Sequence, residues 1–277
     1  MRDAPAGELR SVRTSDGARL EYEVLGEGPP LVMLHGILAS RFTFSRQRAA
    51  FARRFRLILL SARGHDGSGN LIPAQYGVGT SDVEDLRTVL DAERLDRVSL
   101  FGHSSGGATC FVFARNHPNR VDRAVLIEPT LLSLLPAAER AAVIPGFADI
   151  VAAAEAGGPE AGVRAIMALL AGAAWDRLAP DQQAQRLQAL ASCAPLAGPH
   201  MQGLIDLRVT EADILALHPP SLWLYGAASF PFDARMADRV RALRPDLSVL
   251  TIAGAGHNVP RDGSETVNQE ALNFLTA

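Results

Sequence analysis

Gly102-His103-Ser104-Ser105-Gly106 decides the fold, because of what stands on either side of it. Val98 to Phe101 is a short apolar run of the kind a buried strand makes, and a helix is predicted from about Ser105 to Asn116. In this strand, turn and helix setting a G-x-S-x-G pentapeptide has chemical meaning: it forms a sharp elbow that holds the serine Oγ above the sheet. The glycines keep side chains away from the crowded turn, so Ser104 is the candidate nucleophile.

Outward from the elbow, strands and helices alternate. Leu20 to Val24, Leu31 to Leu34 and Arg56 to Leu60 read as strands, with a helical pattern over 41 to 54 and a Gly-rich loop from Gly64 to Gly69. Ser81 or Asp82 can cap a helix whose apolar face is Val83, Leu86, Val89 and Leu90, and Val121 to Ile127 is the strand after the elbow helix. From Leu131 to about Leu217 the rhythm stops, and Ala-rich helical segments take over, with breaks expected at Pro145, Gly157 to Pro159, Pro180, Pro195 and Pro199. Alternation resumes with a strand at Ser221 to Tyr225, a helix at Asp233 to Leu243, a strand at Leu247 to Ile252 and a last helix near Ser264 to Leu275. This is the α/β class: a mostly parallel, doubly wound sheet formed by residues 1–130 and 218–277, interrupted by a helical cap over 131–217.

Composition narrows the function. Of 277 residues, 48% are apolar and 21% charged, which excludes a disordered chain. Twenty-seven basic residues against thirty acidic ones, with no Arg-rich block, give no field to attract nucleic acid. The start, MRDAPAGELRSV, has no apolar core, and no later run approaches the roughly 20 residues of a bilayer span, so a soluble, cytoplasmic protein without a membrane partner is expected. Cys110 and Cys193 lack the spaced partners of a zinc site and read as small buried hydrophobes; no metal is implied. Every basic residue is Arg and none is Lys, which excludes a Schiff-base lysine. No cofactor is expected.

A serine needs a base, and in this setting the base lies beyond the last strand. Gly254-Ala255-Gly256-His257 supplies it on a loop at the carboxyl end of strand 247 to 252. His103, inside the elbow, shapes the site, while His65, His117, His200 and His218 have no comparable setting. Oxyanion donors are expected at the backbone of Ser105, where the elbow helix starts, and in the turn after His35, with Ile37 first and Gly36 second.

LVMLHG, LLSARGHDGS, GHSSGG and GAGHNVP, in that order, resemble the α/β-hydrolase superfamily along nearly the whole chain. The resemblance implies a third, acidic residue a few positions beyond Gly226, but Ser229 stands there. Glu128 follows strand 121 to 127 directly, at the same sheet edge as Ser104, and its length lets it reach His257; Asp233 is the reserve candidate. Ser104-Ser105-Gly106, Glu128-Pro129-Thr130 and Gly226-Ala227-Ala228 together are similar to the fungal zearalenone lactonases, which open a resorcylic macrolactone with a Ser-His-Glu triad. That similarity implies Ser104, His257 and Glu128 in the same roles. The cap shows no such match, so its substrate does not follow from the triad.

Leu131, Leu134, Leu135, Ile166, Met167, Leu170 and Trp175 recur at near-helical spacing and either line a pocket above Ser104 or pack on the core. Phe230 and Phe232, beside the vacated acid position, are further pocket candidates. The expected activity is carboxylic ester or lactone hydrolysis on a small apolar substrate. Carbon–carbon bond hydrolysis, perhydrolysis and a hydrolase-like ligand receptor use the same constellation. Ser61, where many relatives carry Asp, has no account from sequence.

Overall fold

A computed structural model describes residues 7–277; residues 1–6 of the polar start lie outside the described residues. Eight strands form one sheet: β1 (Glu8–Arg13), β2 (Arg19–Leu25), β3 (Pro30–Leu34), β4 (Arg56–Ser61), β5 (Val98–His103), β6 (Val121–Ile127), β7 (Ser221–Gly226) and β8 (Ser248–Ile252). Their spatial order is β1-β2-β4-β3-β5-β6-β7-β8, antiparallel at β1·β2 and β2·β4 and parallel from there on.

The inner strands are apolar on both faces, and their period of two assigns each residue a side. Leu31, Met33, Leu57, Leu59, Phe101, Val125, Ile127, Leu222 and Leu224 face the helices Ser45–Phe51 and Ser264–Thr276, meeting Phe51, Val267, Ala271 and Leu275. Val32, Leu34, Ile58, Leu60, Leu100, Ala124, Leu126 and Trp223 face the other way. They pack on helices Ser81–Ala92, Ser105–Asn116 and Pro231–Leu243. The sheet is thus covered on both sides, and the carboxyl ends of β3, β5, β6, β7 and β8 share one edge.

Between β6 and β7 the chain forms helices only, from the 3-10 turn Leu132–Leu134 to helix Glu211–Leu215. Two expectations are corrected, and one strand is added. Pro145 does not break the cap: helix Ala137–Gly157 runs through it, losing one backbone hydrogen bond but held by buried Phe147 and Ile150 just beyond. The helical pattern over 41 to 54 divides into a 3-10 turn, Arg41–Phe44, and a short helix, Ser45–Phe51. Strand β1 went unread because it lies at the sheet edge with mostly exposed side chains and so lacks the apolar alternation of a half-buried strand. Among the described residues, no helix is long and apolar enough to cross a membrane. Cys110 and Cys193 are both buried and free.

Candidate active site

Ser104 stands between the last residue of β5 and the first residue of helix Ser105–Asn116, with φ +56° and ψ −122°. Left-handed φ is costly for a residue with a Cβ, and the surroundings must enforce it. They do so through backbone bonds: Ser104 N–H donates to Ile127 O (2.9 Å), while Ala108 N–H and Thr130 N–H donate to Ser104 O (3.0 and 3.3 Å). Two glycines make the turn sterically possible. A Cβ on Gly106 would lie 2.5 Å from both Leu34 O and His35 O, and one on Gly36 would lie 2.9 Å from Ser104 Cβ. Gly106→Ala is therefore expected to cost about 3 kcal/mol or more by displacing backbone, and to lower Tm by roughly 6 to 12 °C. A melt within 2 °C of wild type would mean that strand and helix can part there freely.

Glu128 is the first residue after β6, and it too has left-handed φ, +44°. Its N–H still donates to Leu224 O (2.9 Å), which extends the β6·β7 pairing by one step and turns the side chain into the site. The carboxylate is 1% exposed. Oε1 accepts the Gly226 N–H at 2.7 Å, Oε2 accepts Ser229 Oγ–H at 2.9 Å, and Oε2 also accepts His257 Nδ1–H at 2.6 Å. His257 Nε2 lies 3.1 Å from Ser104 Oγ. The three side chains thus form one hydrogen-bonded line. A carboxylate can only accept, which fixes the neutral imidazole with its proton on Nδ1 and leaves Nε2 to take the serine proton.

The loop that carries His257 is tied down from three sides. Gly256 N–H donates to Asp262 Oδ2 (3.2 Å), Ala228 N–H from the β7 exit donates to Ala255 O (2.9 Å), and His103 Nε2–H donates to the His257 carbonyl (2.7 Å). His103 therefore holds the histidine loop against the elbow. Burial, reinforced by the neighbouring His257, keeps it neutral by lowering its pKa to about 3. For His257, burial opposes the imidazolium, but Asp233 and Glu128 outweigh it and raise the pKa to about 9. Burial pushes Glu128 above its ordinary value, against the hydrogen bond from His257. His103, Glu128 and His257 bring ligand-type atoms within 4.8 Å of one another. The protons on His257 Nδ1 and His103 Nε2 point at oxygen acceptors, so those two nitrogens present no lone pair to a cation.

Above Ser104 opens a cleft of about 270 Å³, walled by Gly36, Ile37, Leu38, His103, His257 and, from the cap, Met167, Leu170 and Ala171. A second lobe of about 400 Å³ shares Leu38, Ala39, Thr43 and Asn258 with the first and adds Ser40, Asp66, Ser192 and Cys193. Gly36 and Ile37 thus flank Ser104 on one side. Ser105 begins the elbow helix on the other, where helix geometry leaves N–H groups free and favours negative charge.

Of the pocket candidates, His103, Met167 and Leu170 line the cleft, but Leu131, Leu135 and Trp175 do not. These three are buried in the core, Leu131 and Leu135 bracketing the turn Leu132–Leu134, and their apolar spacing reports packing. Phe230 lies against His257, ring centres 5.2 Å apart. Phe232 stacks on Phe230 and meets Phe147 of the cap edge-on, so the pair braces the histidine and the cap outside the cleft wall. Leu38, Ala39, Thr43 and Asn258 were missed; their signal is adjacency to Gly36 and His257. Ser61 donates to Asp66 Oδ2 (2.6 Å) and accepts from Arg41 (3.1 Å), a support for the loop that borders the second lobe.

An eight-stranded, largely parallel sheet with a nucleophile elbow at its carboxyl edge defines the α/β hydrolase fold, and the sequence of that family matches residues 29–263: the chain belongs to it. Among relatives, an uncharacterized protein of Mycobacterium tuberculosis is 36% identical over 117 residues, so that the match spans 42% of this chain and only 33% of the relative. The carboxylesterase YbfK of Bacillus subtilis is 26% identical over 257 residues, covering 90% of this chain and 81% of that protein. The crystal structure of the enol-lactonase from Burkholderia xenovorans LB400 superposes with a TM-score of 0.78 at 17% identity, over 97% of this chain and 100% of that one, and so shares the fold.

Proposed function

We propose that this chain is a cofactor-independent serine hydrolase that cleaves a carboxylic ester or lactone through an acyl-enzyme on Ser104. The observation that carries the reading is the continuous line from Glu128 Oε2 to His257 (2.6 Å) and from His257 Nε2 to Ser104 Oγ (3.1 Å), opening into a cleft. In the first half-reaction Ser104 Oγ attacks the carbonyl carbon as its proton passes to His257 Nε2. The oxyanion is received by backbone N–H groups at Ser105 and at Ile37 or Gly36, and His257 then protonates the departing alkoxide. A water repeats the sequence to free the acid. Glu128 keeps the imidazole in the productive tautomer and steadies its positive charge.

The cleft favours a substrate of mixed character. Met167, Leu170, Ala171 and Leu38 offer an apolar lobe. The second lobe offers the hydroxyls of Ser40, Thr43 and Ser192 and the amide of Asn258, which together suit a hydroxylated substrate face, while Asp66 there is ion-paired with Arg41 at 3.3 Å. A hydroxylated aryl ester or macrolactone has this character, and zearalenone, a resorcylic macrolactone, is the specific candidate on the ground of this mixed cleft lining and not of the triad motifs. Mass spectrometry of zearalenone and a panel of aryl esters and lactones, incubated with wild type and with Ser104→Ala, tests both levels. Addition of one water to zearalenone by wild type alone is the expected result. Hydrolysis confined to simple esters would discard the macrolactone and keep the chemistry, and equal turnover by Ser104→Ala would overturn the serine mechanism.

A further inference from the structure

The site holds a second buried carboxylate. Asp233, in the first turn of helix Pro231–Leu243, is 1% exposed, and its Oδ2 lies 3.7 Å from His257 Nδ1. The same Oδ2 is 3.0 Å from Ser229 Oγ, which is itself 2.9 Å from Glu128 Oε2. Asp233 Oδ1 is buried with no hydrogen-bond partner. One hydroxyl proton is therefore shared between two carboxylates, and both face one imidazole. A hydroxyl has a single proton to donate, so whichever carboxylate lacks it is left to His257 for compensation. Burying such an oxygen without a role is costly, which makes the unpartnered Oδ1 of Asp233 a feature that needs explaining.

We propose that Asp233 is a positioning residue of the hydrolase site: through Ser229 and through its charge beside His257 Nδ1, it sets the pH at which His257 becomes a base. The inference rests on the reading of His257 as the base. The groups that face His257 are Glu128 from the β6 exit, Asp233 from its helix and His103 from the elbow, while Asp262 holds the adjoining Gly256 N–H. Of these, His103 is neutral, Glu128 is the direct acceptor, and Asp233 adds charge without taking the proton. A negative charge at that range favours the imidazolium and so delays its conversion to the base.

Asp233→Asn keeps the shape and removes the charge. The acidic limb of kcat/KM is expected to move down by about one pH unit or more. Below that limb the variant should then be more active than wild type, an outcome that a merely damaged protein does not give. Titration of His257 by ¹⁵N NMR in histidine-labelled wild type and Asp233→Asn reads the same shift without any substrate. It therefore stays informative if no tested ester turns over, and separates failure of this inference from failure of the proposed activity. Should Asp233→Asn fold poorly, Ser229→Ala, which takes the shared proton from both carboxylates, is expected to raise the His257 titration, the opposite sense to Asp233→Asn. An unchanged His257 titration in the folded variants would overturn the proposal and leave Asp233 a structural residue.

Discussion

Glu128→Ala is expected to lower kcat/KM by roughly 10⁴-fold on any ester that turns over, the scale of losing the acid that orients a triad histidine. Its carboxylate is the acceptor that fixes the His257 tautomer, and Asp233 at 3.7 Å is too far to replace that hydrogen bond. The position is also rescuable. Ser229 Oγ lies 2.9 Å from Glu128 Oε2, so adding Ser229→Asp to Glu128→Ala returns a carboxylate close to the emptied position and is expected to recover roughly 10²-fold. Steady-state kinetics on one chromogenic ester, with circular dichroism to verify folding, measures both. A Glu128→Ala enzyme within tenfold of wild type, with Asp233→Ala inactive, would reassign the acid to Asp233.

The second large effect is on stability in acid. His35, His103 and His200 are buried so completely that each is held neutral down to about pH 3, burial being the main cause in every case. In the unfolded chain each protonates near 6.5. Their folded pKa values are lower than the unfolded ones, so the fold is at full strength above 6.5 and weakens as pH falls from there toward 3. At pH 5 each histidine costs about 2 kcal/mol, and the three together about 6, a large share of the roughly 5 to 15 kcal/mol that holds a domain together. Over the same fall in pH Asp82, raised to about 8 by burial, and His257, raised to about 9, gain about 3 and about 1 kcal/mol, so a net drop in Tm of roughly 4 to 8 °C between pH 7.5 and pH 5 is expected by calorimetry. A flat profile over that range would show that water reaches these rings. His257 has the opposite sign: its raised pKa adds stability that is complete below 6.5 and is lost as pH climbs through about 9. The alkaline pH that frees the base therefore also loosens its hold.

Much of this architecture is legible in the sequence because the decisive residues sit at strand ends. Ser104 directly follows β5, Glu128 directly follows β6 and His257 follows β8 by a glycine loop, so the parallel order of the sheet carries all three to one edge. The cap resists such reading. An apolar spacing such as Leu131, Leu135 and Trp175 reports only that these side chains are covered, and tertiary packing decides whether a core or a cleft covers them. Strand β1 is polar and gains its place from pairing with β2, a partner no local pattern reveals. The bridge through Ser229 depends on the β7 and β8 exits being joined at Ala227–Ile252 and Ala228–Ala255, contacts made across more than twenty residues of chain.

Helices fill the whole stretch between β6 and β7, and its entrance is anchored independently of them. Thr130 bonds the elbow backbone through its N–H, its hydroxyl is 3.4 Å from Ser104 Oγ, and Pro129 packs where Gly107 leaves room. Re-entry is fixed as well, with Pro220 O accepting the Ala124 N–H at the start of β7. The molecule therefore has natural splice points after Thr130 and before Pro219. Chimaeras joined there would exchange the segment that brings Met167, Leu170 and Ala171 to the cleft while keeping Ser104, Glu128 and His257 in one line, whereas a junction one turn earlier would carry away Glu128.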